Sequence, residues 1–145
     1  MPCYVLLQPE ARVIRKRGHG QVTDDELANA SRYALHHHDF EPGFDELWDG
    51  SRATDIIVDL KKMRRAVASE RRNTPRIGPG RIAVVYNQTV YFALFRLYQV
   101  LTSPFTKREF RTFDTVAEAE AWLGVPPVPE DADWAVFDTS KEPHR

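Results

Sequence analysis

The chain has 145 residues, 42% of them apolar and 28% charged, with three tryptophans, five tyrosines and eight phenylalanines. That is enough to build one buried core, and it excludes disorder of the whole chain. A net charge of -1 gives no bulk argument for nucleic acid, and the single cysteine, Cys3, excludes an intrachain disulfide and an all-cysteine zinc site.

Cys3 to Leu7 is too short for a signal-peptide core, and no basic segment precedes it. No stretch reaches the roughly 18 apolar residues of a membrane span. A cytoplasmic location is therefore expected.

Two β-like runs open the chain, Tyr4–Leu7 and Arg12–Arg15, separated by Gln8-Pro9-Glu10, and together predict a hairpin. Gly18 and Gly20 are read as releasing the chain into a loop. Thr23 followed by Glu26 is a capping box, so a helix starts there. Leu27, Ala30, Ala34 and Leu35 carry it at helical spacing toward Asp39. Phe44–Asp49 predicts a strand that ends in a loop at Gly50-Ser51-Arg52. The next helix places Ile57, Leu60, Met63 and Val67 on an apolar side opposite a basic one. Asn73–Gly80, with two prolines and two glycines, predicts a loop. Arg81–Tyr86 is a continuous apolar run suited to a strand buried on both faces. Asn87–Ser103 predicts a third helix, Glu109–Phe113 a strand, and Thr115–Leu123 a fourth helix ended by Gly124. Strands and helices alternate after the opening pair, which predicts an α/β sheet.

In this order the residues resemble the SpoIIAA-like proteins, related in fold to STAS and Sec14 domains. The resemblance lies in GQVTDDEL (Gly20–Leu27), FDELWDGSRAT (Phe44–Thr54), RIAVVYNQTVYFALFRLYQVL (Arg81–Leu101) and REFRTFDTVAEAEAWL (Arg108–Leu123). It implies a small STAS-type sheet over residues 1–124. The Pro-rich, acidic extension over 125–145 carries Trp134, Val136 and Phe137, residues a purely flexible tail seldom has, so it is expected to dock in cis or in trans. Anti-sigma-factor antagonists among the relatives carry an Asp-Ser-Ser-Gly turn with a phosphorylated serine. Here the matching stretch reads Ala53-Thr54-Asp55-Ile56-Ile57, which lacks that serine. Sec14 relatives are larger and enclose a lipid cavity.

Four candidate sites follow. Asp49, Ser51, Arg52 and Thr54 sit where a central strand is predicted to end, the usual ligand position in open α/β sheets; the competing reading is that they cap the second helix. His36-His37-His38-Asp39 is not assigned to a metal, because consecutive helical residues point about 100° apart. The basic residues from Lys61 to Arg81 could face an anionic partner, but without interleaved aromatics or a motif, nucleic acid is not expected. The third helix is apolar nearly all round and must be covered on more than one side. Tyr91, Phe92, Phe95 and Tyr98, together with Trp134 and Phe137, are the expected interface or apolar-ligand surface. No catalytic motif is present, and no cofactor or metal is expected. The expected function is a non-enzymatic binding or regulatory domain that forms a homodimer through the third helix, with a protein partner or a small apolar or anionic ligand. Two alternatives are a peripheral membrane or lipid-binding module using the second and third helices, and a small enzyme at the Asp49–Thr54 loop.

Overall fold

The opening runs form an antiparallel hairpin, β1 (Cys3–Gln8) and β2 (Val13–Thr23), turned by one 3₁₀ segment at Pro9–Ala11. These elements belong to a computed structural model that describes residues 2–57, 59–86 and 89–138, with side chains throughout except at 89–92. The turn leaves Arg12 left-handed at φ 52°. Its guanidinium offsets that cost by donating to Glu41 at 2.8 Å and to the Pro42 carbonyl at 3.0 Å.

From β2 the chain alternates: α1 (Asp24–Leu35), β3 (Asp45–Ile57), α2 (Leu60–Ile77), β4 (Gly80–Val85), α3 (Thr89–Thr102), β5 (Arg108–Phe113), α4 (Val116–Leu123) and β6 (Ala135–Phe137). The product is an α/β fold with one six-stranded mixed sheet in the order β5-β4-β3-β2-β1-β6. Strands β2 to β5 are parallel and laid down one after another, whereas β1 runs antiparallel to both its neighbours. Successive crossovers of one hand place α1 and α3 over the same face, with α2 resting on them as an outer layer. That face buries Val5, Ile14, Val22, Trp48, Ile82 and Val84 against Ala30, Ala34 and Phe95. The opposite face buries Val13, Leu47, Ala83 and Val85 under Ala119 and Leu123 of α4. Residues Ile82 to Val85 are all buried, as expected of a strand covered on both sides.

Four boundaries differ from expectation, each for a physical reason. First, β2 does not stop at its glycines. The β2–β3 register shifts between Arg17 and His19 and again between Gly20 and Gln21, so the glycines mark bulges inside a strand. Second, β3 runs through the expected Gly50–Arg52 loop to Ile57. Its pairing with β4 stops at Asp49, and beyond that point it is held by β2. Its polar stretch reflects exposure of that overhang, not a turn. Third, α2 continues to Ile77 through Pro75, because a proline in the last turn costs only the bond to the Arg71 carbonyl, and Gly78 ends the helix. Ile57 and Leu60, expected on its apolar side, are exposed. Fourth, α1 ends at Leu35, where its apolar spacing ends and nothing further is buried.

The extension returns to the sheet. Arg15, 2% exposed, donates to Gln8 at 2.7 Å, Glu120 at 2.8 Å and the Pro126 carbonyl at 2.6 Å. Residues 135–137 then pair with β1, Phe137 opposite Cys3. Residues 139–145 of the expected extension lie outside the described residues.

Candidate functional site

The expected ligand loop is not a loop. Asp49 and Ser51 point the same way from β3, and the buried Asp49 carboxylate accepts from the Ser51 amide at 3.0 Å and its hydroxyl at 2.6 Å. Arg17 Nε lies 3.4 Å from the same carboxylate, and its guanidinium covers the Trp134 ring at 4.5 Å. Arg52 and Thr54 are exposed on the overhang and do not join this group. Nor do these residues cap α2; Asp59 does, accepting from the Lys62 amide at 2.7 Å. Burial, then the charges of Arg52 and Arg17, hold the nearby His19 below its ordinary pKa. Tyr4, Arg17, His19 and Trp134 line an open hollow of about 360 Å³ on the α4 face.

The polar centre of the molecule lies elsewhere, under α2 and α3. Lys16 on β2 is 2.7 Å from Glu46 on β3 and donates to Ser31 of α1 at 3.0 Å. Arg108, at the start of β5, donates to Glu46 at 3.0 Å and also to Glu70 of α2. The Tyr98 hydroxyl of α3 donates to Glu70 at 3.0 Å. Burial pushes the Glu46 carboxyl up, but the Lys16 and Arg108 charges and hydrogen bonds more than offset it and hold it at about 2. Burial and the Glu70 charge push Tyr98 well above its ordinary value. Sequence reasoning missed this chain of groups. The only local signal was Glu46, a charge beside the buried Leu47 and Trp48 of β3. Since these charges compensate one another, the arrangement clamps α2 and α3 to the sheet; it offers no free acid–base pair.

Cys3 is fully buried, and burial pushes its thiol up to about 12, so it is inert packing. The histidine cluster lies past the end of α1, so its side chains are not splayed at helical spacing. His37, His38 and Asp39 bring ligand atoms within 4.8 Å of one another. However, His37 Nδ1 already accepts the Asp39 amide at 3.0 Å, and the two imidazoles stack at 4.4 Å.

The expected apolar surface is split. Phe95 faces inward, 6.1 Å from the Trp48 and Tyr86 ring centres, and Tyr98 meets Phe110 edge-on at 6.3 Å. Trp134 and Phe137 belong to the β6 edge, at the other end of the sheet from β5. The expected side chains of Tyr91 and Phe92 lie outside the described residues. Among its described side chains, the large apolar ones that α3 exposes are Leu97, Val100 and Leu101, at 41%, 58% and 37%. Beside it, Phe95, Arg96 and Gln99 overhang Phe110, Arg111 and Thr112 of β5 across a cleft of about 200 Å³. On α2, Lys61, Arg64, Arg65, Arg71, Arg72 and Arg76 fall within an arc of about 140° at 100° per residue, with no acid among them. The acidic Glu130–Asp133 segment does not cover that arc, since Asp133 sits by Tyr4 and Arg17 on the opposite face. Among the described residues no helix is long and apolar enough to cross a membrane.

No family model matches the chain, and no curated protein matches it. Among solved structures, it is similar to an uncharacterized protein of the DUF3478 family with a SpoIIAA-like fold from Shewanella loihica PV-4. The TM-score is 0.52 at 15% identity, covering 77% of this chain and 83% of that one. The chain has a SpoIIAA-like fold.

Proposed function

We propose that this chain is a non-catalytic binding domain that works by contact and associates with itself through α3. The observation that carries the reading is the exposed apolar side of α3. Leu97, Val100 and Leu101 recur at i, i+3 and i+4, one stripe of a helix, in water. A non-catalytic reading is supported by the compensation of Lys16, Glu46, Arg108 and Glu70 by one another. Sedimentation velocity at micromolar concentration tests the association. A dimer that Leu97→Glu dissociates is expected, and a wild-type monomer would sink the reading.

A second reading, attachment to an anionic membrane surface, is favoured by the cationic arc of α2. Among the described residues, Lys61, Arg64, Arg65, Arg72 and Arg76 make no ion pair. Such an arc adds about 1 kcal/mol per cation near an anionic bilayer. Co-sedimentation with phosphatidylserine vesicles should be lost in high salt; equal retention on neutral vesicles rules this reading out.

A further inference from the structure

The two ends of the sheet are treated differently. One edge is the three-residue β6, which is too short to template another strand. The other is β5, six residues long, with no proline and no bulge in its pairing with β4, and its outer side pairs with no strand among the described residues. Edges are commonly protected by charged side chains, especially lysine, by proline or by bulges. On β5 the two exposed charges are Glu109 and Arg111, of opposite sign and two residues apart, hence on the same face of the strand. Phe110 lies between them on the other face, against Tyr98.

We infer that a second copy of this chain docks on the free edge of β5, antiparallel, with Phe110 on the two-fold axis. This rests on the self-association reading and supplies its geometry. In that register Glu109 lies directly opposite Arg111 of the second copy, and Arg111 opposite its Glu109, so one contact made twice satisfies both charges. A strand added to this edge lies beneath the overhanging side of α3 that carries Arg96 and Gln99. Val100, one turn after Arg96, is on that side and is the most exposed large apolar residue among the helix's described side chains. The pairing thus brings the two α3 helices side by side. The open edge and the uncovered helix are then shielded by one partner, and the sheet continues across the axis.

A charge swap tests the register by sedimentation velocity, with folding checked by circular dichroism. Wild type should be a dimer. Glu109→Arg puts like charges opposite each other twice, and Arg111→Glu does the same, so each should weaken the dimer by roughly tenfold or more. The double variant should restore it, and mixing the two single variants should give a heterodimer. Glu109 is exposed and makes no ion pair or hydrogen bond in its own chain among the described residues. Its variant therefore carries the test by itself if Arg111→Glu, which also removes a guanidinium lying over Trp122, fails to fold. A wild-type dimer indifferent to Glu109→Arg overturns the edge pairing and leaves self-association standing. Weakening that neither the double variant nor mixing reverses also overturns it. A wild-type monomer overturns both.

Discussion

Replacing Glu46 by glutamine should reveal how strongly the buried charges hold the helices to the sheet. The substitution keeps the size of the side chain but removes the charge between Lys16 and Arg108, 2.7 and 3.0 Å away. The carboxyl moves from an ordinary 4.5 to about 2 on folding. At 1.36 kcal/mol per pKa unit this is about 3 kcal/mol, in line with the roughly 3–5 kcal/mol lost when one partner of a buried pair is removed. The sign follows from the direction of the shift. A carboxyl with a depressed folded pKa contributes its full stability above the unfolded value and loses it as pH falls through the folded value. Urea unfolding at pH 7 should therefore show Glu46→Gln less stable by about 3 kcal/mol, with Tm lower by roughly 6–12 °C. The gap should narrow between pH 4.5 and 2, because wild type then loses what the variant already lacks. A loss under about 1 kcal/mol at pH 7, or a gap that stays constant down to pH 3, would show that Glu46 does not hold these charges together.

Four further outcomes separate local from tertiary effects. Gly18→Ala sets a Cβ 2.8 Å from Val22 Cγ2 and 3.2 Å from the Trp48 ring. It should cost about 1–3 kcal/mol in urea unfolding, as overpacking does. Gly124→Ala meets nothing within 4 Å but must hold φ at 71°, so its cost should be about 1 kcal/mol, from the backbone alone. Thr23→Ala removes the complete capping box with Glu26 and should cost about 1 kcal/mol, measurable by the same melts. Cys3 should resist a thiol reagent such as dithionitrobenzoate in the native protein and react once denaturant is added; fast native labelling would contradict its burial.

What was legible in the sequence was local. The Thr23–Glu26 box, the Thr115 cap and the Gly124 stop each involve residues within one or two turns, and each appears where the spacing put it. The run from Ile82 to Val85 was legible because a strand covered on both sides needs apolar residues at every position. The opening hairpin and the strand–helix alternation gave the fold class. Glycines and polar residues misled where a distant neighbour decides their role. Gly18 and Gly50 make room for Trp48, which spacing along the chain cannot reveal. Asp49 to Thr54 read as a turn because their strand outruns β4, and that depends on how long the neighbouring strand is. The buried charges were illegible for the same reason: Arg108 is 62 residues from Glu46 and 38 from Glu70. Each of them, taken alone, reads as an ordinary surface charge.

These buried charges also bear on how β5 presents its edge. Side chains alternate along a strand, so a slip of one residue would turn every one of them to the other face. Arg108 is the first residue of β5, and its side chain is 8% exposed, tied inward to Glu46 of β3 and Glu70 of α2. Fixing Arg108 on the face covered by α3 puts Phe110 there too, against Tyr98. Glu109 and Arg111 are then left together on the opposite face. An apolar side chain at position 108 would bury without choosing between registers as sharply, since nothing would be left unpaired by a slip. A guanidinium between two carboxylates does choose, because a slip would leave two buried carboxylates without it and expose Phe110. The network that costs desolvation in the core therefore sets the phase of the one long edge the sheet leaves open.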